Sequence, residues 1–134
     1  SFTVGVAGCK FAFVAHSQAA YAHGVKEGLI DDLLVDIDTA DINVKLKPIF
    51  KFVKKLTLTP TDVTQGDADA VFAAGWDEKA LHDAIAVCAR MCFMQRIVEG
   101  HGFTPMSPAV ARRNARKRAE LGYVNLYPEF REQS

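Results

Sequence analysis

The stretch DEKALHDAIAVCARMCFMQRIVE, residues 77–99, decides the fold. Asp77 is a helix-capping residue type, and behind it Leu81, Ile85, Cys88, Cys92, Phe93, Met94 and Ile97 recur at spacings that predict one long helix, about 78–99, with a wide buried face. Working outward, Ser107-Pro108 is an N-cap and first-turn pair that opens a C-terminal helix over about 108–121, with Gly122 as its stop. On the other side, Thr64 and Asp67 form a capping box for a short helix ending at Ala73-Ala74-Gly75. Thr59-Pro60 closes the element before it, KLKPIFKFVKKLTL at 45–58, whose Leu46, Ile49, Phe50, Val53 and Leu56 share one face, with Pro48 in the first turn. Lys45, Lys47, Lys51, Lys54 and Lys55 surround that face. A charge run on an amphipathic helix is ordinarily a solvated surface, and a basic binding face is the alternative.

Further upstream, Leu29, Ile30, Leu33 and Leu34 predict another short amphipathic helix, and Asp36, Asp38 and Asp41 mark a loop. The Gly and closing Glu of a calcium-binding EF-hand loop are absent there. Nothing alternates with period two for long, so the fold class is all-α, and 134 residues at 49% hydrophobic predict one domain over 1–134. Sixteen basic and sixteen acidic residues cancel, so overall charge points to no nucleic-acid partner. No apolar run approaches the ~20 residues of a membrane span, and no signal peptide is visible. Three irregularly spaced cysteines fit a reducing compartment, and a cytoplasmic location is expected.

The stretch GCKFAFVAHSQAAYAHGV, residues 8–25, carries the chemistry. Gly8 breaks the chain and Cys9 opens a motif helix, about 9–23, where free N–H groups and the helix dipole favour an ionised sulfur. His16 follows seven residues later, about 20° off the same stripe and roughly 10 Å along the axis, too far for a direct hydrogen bond. His23 continues the stripe, but histidines seven apart cannot chelate one ion as an i,i+4 pair can, so no metal site is expected. Cys88 and Cys92, at i,i+4, have nearly parallel Cβ vectors, a poor disulfide geometry, and fit core packing. Arg96 is either an ion-pair strut to Glu99 or Asp83, or an anion-recognising group.

The run Cys9, Lys10, Phe11, Ala12, Phe13, Val14, Ala15, His16 resembles the Cys-x-x-Cys-x-x-x-His core of the alkyl hydroperoxidase D-like and carboxymuconolactone decarboxylase-like superfamily. The first cysteine and the histidine match. Ala12 replaces the second cysteine, and Phe11 stands where some members place a further histidine. Residues 74–103 are similar to the family's second conserved segment, with Cys92 and Gln95 in place of two asparagines and Arg96 kept. The resemblance implies an alkyl hydroperoxidase D-like helical bundle, assembly into homo- or hetero-oligomers, and no cofactor. It also implies further helices ahead of the motif, so that the sequence is a short form, a fragment or a subunit completed by another chain, and a relay glutamate for which no acid occurs before Glu27.

Three functional readings follow. The first is a thiol-dependent peroxidase using Cys9, with His16 steering protons and an external thiol, or Cys92 or Cys88 across a helix interface, resolving the oxidised sulfur. The second is a lyase or hydrolase in which His16 is acid or base and Arg96, with Phe11 beside the motif, binds substrate. The third is a non-catalytic subunit whose motif helix is an interface.

Overall fold

The structure is a computed structural model, and it describes residues 1–128. Seven α-helices occupy most of those residues, with no strand among them: α1 (Phe2–Val6), α2 (Lys10–Ala22), α3 (Leu29–Val35), α4 (Leu46–Leu58), α5 (Gln65–Ala73), α6 (Glu78–Gly100) and α7 (Pro108–Asn125), plus a 3-10 turn at Pro60–Asp62. The all-α class read from the sequence is the class observed.

The capping signals fix most of the boundaries. Asp77 accepts the Ala80 N–H at 2.8 Å to start α6. The Thr64–Asp67 box starts α5, with the Asp67 carboxylate taking the Thr64 N–H at 2.7 Å. Ser107 accepts from Val110 ahead of α7, and at Gly122 the backbone leaves helical geometry (φ 65°), so the stop expected there is a break followed by one further turn. α3 covers its whole apolar pattern and begins at Leu29, because Gly28 at φ 85° turns the chain immediately before it.

α1 is the shortest α-helix, and it lies in the middle, touching α2, α3, α4 and α6. Its Val4 is completely buried and Phe2 nearly so. Phe2, Leu33, Ile37, Ala40, Val53 and Cys88 form one apolar cluster, and Phe52, Val71 and Leu81 form a second where α4, α5 and α6 meet. A third gathers Val4, Cys9, Ala12 and Val98. Gly5 gives α1 its close approach, since a Cβ there would lie 2.8 Å from Cδ1 of Leu34 and 3.1 Å from the Phe13 ring. Trp76 donates its indole N–H to the Lys45 carbonyl at 2.7 Å and ties the entry of α6 to the entry of α4.

The long helix differs from its expected face. Leu81 and Cys88 are buried, but Phe93, Met94 and Ile97 are 62%, 40% and 39% exposed, and Val98 is buried instead. At 100° per residue those three lie about 120–160° round from the Leu81–Cys88 stripe. The sequence reading had merged two opposite sides of the helix. The lysines of α4 make local pairs: Lys51 with Asp38 and Lys55 with Asp67, both at 2.7 Å, which is the solvated-face reading. Leu126 packs back into the fold, while Tyr123 and Tyr127 are exposed and the rest of the aromatic tail, 129–134, lies outside the described residues.

α7 packs on α2, and the residues it buries are small, Ala111 and Ala115, with Ser17 buried on the α2 side. Ala115→Leu is expected to overfill that seam and lower unfolding free energy by about 1–3 kcal/mol, measured by chemical denaturation. The Lys55 ammonium, helped by the N–H and hydroxyl of Thr64, holds the Asp67 carboxyl down at about 2. A depressed folded pKa means stability present above the ordinary carboxyl value and lost as pH falls toward 2, so melting temperature should drop across that window. Asp67→Asn should flatten the drop.

Candidate functional site

Gly8 sits at φ 76° just past α1, and Cys9 is the extended N-cap of α2, so the chain breaks and re-enters a helix at the two residues the sequence marked. The Cys9 N–H donates to the Val4 carbonyl at 2.9 Å. Its sulfur therefore stands at the mouth of α2, where the N–H groups of Ala12 and Phe11 favour the ionised form.

The surroundings oppose that. Cys9 is only 1% exposed, enclosed by Val4, Ala12 and Val98, with Phe11, Phe13 and Met91 around them. Burial pushes the thiol above its ordinary value and outweighs the helix N–H groups. The Glu99 carboxylate, from the last turn of α6, stands beside the thiol and pushes it further up, as hydrogen-bond acceptor and as negative charge. Burial and Glu99 thus oppose the thiolate that the helix mouth favours. The physical reason is that α6 closes over the helix mouth and brings an acid with it.

Glu99 was missed as a partner of Cys9 because ninety residues separate them and nothing in the local pattern pairs them. The contact that aligns the two helices is Gln95, whose side-chain amide donates to the Ala7 carbonyl at 3.1 Å, two residues before Cys9.

The structure does not bring His16 to Cys9. His16 faces outward from α2, and the charges it feels are those of Arg118 and the Ser1 amine, not of the sulfur. The chain around the ring depresses its pKa first, and those cations add to the effect. Because Cys9 is the cap and not a helical residue, the seven-residue stripe drawn between them does not apply. Cys88 and Cys92 lie in the other cluster, with Phe2, Leu33 and Val53, so neither shares the wall around Cys9. All three thiols are free. Cys88 Sγ is 3.3 Å from Thr57 Oγ1, and burial raises its pKa, with Cys92 contributing in the same direction.

Arg96 is exposed and donates to the Cys92 carbonyl of its own helix at 2.8 Å. It forms no ion pair with Glu99 or Asp83 among the described residues, and Asp83 instead pairs with Lys79 at 2.6 Å. Phe11 packs over the Cys9 cluster and against Phe103, with ring centroids 5.7 Å apart. An apolar cavity of about 590 Å³ opens between α1, α3, α4 and α6, lined by Phe2, Leu33, Ile49, Phe50 and Val87 with Asp83 at one side; Cys9, His16 and Arg96 are not in it. No grouping of three potential metal ligands and no helix long and apolar enough to cross a membrane occurs among the described residues.

Compared with known proteins, the chain matches no family model, no curated protein and no solved structure.

Alkylation of Cys9 should rise with pH along a curve centred above the ordinary cysteine value, because burial and Glu99 both disfavour the thiolate. Glu99→Gln removes one of those two causes, so its curve should move to lower pH. Peptide mapping of iodoacetamide labelling between pH 7 and 11 checks both directions.

Proposed function

We propose that the chain is a single-cysteine thiol peroxidase of the alkyl hydroperoxidase D-like type, in which Cys9 is the reacting group and Glu99, not His16, receives its proton. The observation that carries this reading is the meeting of three features at one sulfur: a helix mouth, N–H groups that favour the thiolate, and a carboxylate placed to accept the thiol proton. Perturbed titration of this kind concentrates at functional sites.

In this reading the thiol proton passes to Glu99 as the sulfur attacks the outer oxygen of a hydroperoxide. The O–O bond breaks, the departing alkoxide takes the proton back from Glu99, and Cys9 is left as a sulfenic acid while an alcohol departs. Ala12 offers no second sulfur. An external thiol then condenses with the sulfenic acid, releasing water and forming a mixed disulfide, and a second external thiol releases Cys9 and leaves as the oxidised pair. Reducing surroundings, hence a cytoplasmic setting, belong to the same proposal. So does a partner chain over the exposed Phe93, Met94 and Ile97.

One observation favours the third reading, a non-catalytic subunit: the near-complete enclosure of Cys9. The two are separated by hydroperoxide consumption with a small thiol as reductant. A peroxidase loses turnover in Cys9→Ser and drops on the order of a hundredfold in Glu99→Gln, even though that variant alkylates more readily. A subunit shows no turnover dependent on either residue.

A further inference from the structure

The reading of Cys9 as the reacting group leaves open how anything reaches it, and the walls around the sulfur differ in how firmly they are held. Val4, Ala12 and Val98 are buried residues of three different helices, and Met91 lies mid-way along α6. Phe13 faces inward against α1, its ring 3.1 Å from where a Cβ on Gly5 would stand. None of these moves without unpacking a helix. Phe11 is different: it lies in the first turn of α2, only partly buried, and its outer neighbour is Phe103, at a 45° tilt.

Phe103 belongs to no helix. It sits in the connection between α6 and α7, immediately after Gly102 at φ 66°, and is itself 52% exposed. Its N–H donates to the Val98 carbonyl at 3.1 Å, which sets it down over the end of α6. The His101 ring stacks on its other side at 5.7 Å. In this direction the sulfur lies beneath the partly buried Phe11, and Phe11 lies beneath Phe103.

We propose that Phe103 is the access-controlling residue of the Cys9 site: the His101–Phe103–Phe11 stack is its removable cover, and reagents reach the thiol when Phe103 swings away about Gly102. A side chain held by ring contacts and one backbone hydrogen bond opens far more often than the helices beneath it. Glu99 is positioned by α6 and stays with the sulfur when the cover lifts.

The test is the rate at which Cys9 in the full chain is labelled by iodoacetamide at constant pH, read by peptide mass alongside Cys88 as internal control. Phe103→Ala should raise Cys9 labelling about two- to tenfold, the weight of one aromatic pair, with Cys88 unchanged. Phe103→Tyr should keep the original rate. An unchanged Cys9 rate in Phe103→Ala, or a parallel rise at Cys88 that reports general loosening, overturns the proposal. Labelling does not depend on hydroperoxide turnover, so absence of peroxidase activity would remove the functional reading and leave this result standing.

Discussion

The burial of α1 is the constraint from which the rest follows. A five-residue helix has no stability of its own, because nucleation is unfavourable and so few residues return few hydrogen bonds. It persists because four other helices pack on it and leave Val4 with no solvent contact. Its brevity forces the chain to turn at Gly8, and the turn leaves Cys9 in the same wall as Val4. The chemistry available to that sulfur is therefore a consequence of how the core is closed.

Two opposing effects meet at Cys9, and magnitude decides between them. A helix terminus stabilises a nearby negative charge by roughly 0.3–1 kcal/mol when exposed and up to about 2 in partly buried geometries. Desolvation of an enclosed group can shift titration by several units, at about 1.4 kcal/mol each. Burial prevails, and Glu99 adds to it, so the helix mouth moderates a raised pKa without reversing it.

The surface charges serve local geometry. Asp38 pairs with Lys51 across the loop after α3, and Glu27 pairs with Arg112 at 3.2 Å, linking the segment after α2 to α7. Exposed pairs of this kind contribute little stability each. The Asp38–Lys51 pair sets the acidic stretch against the lysine face of α4.

The sequence by itself determined the helical class, the caps at Thr64, Asp77 and Ser107, the breaks at Gly8 and Gly122, and Cys9 as the residue that opens α2. These are local: a capping oxygen, a glycine at positive φ or an apolar period acts within a few residues. Tertiary structure alone decided which sides of α6 are covered: Leu81 and Cys88 are buried, while Phe93 and Ile97, on the opposite side of the helix, stay exposed. It also decided the partners of the sulfur. Glu99 arrives beside Cys9, and His16 is turned away from it, through the docking of α6 on the Ala7–Gly8 turn, and a contact between segments ninety residues apart leaves no periodicity in the chain to read.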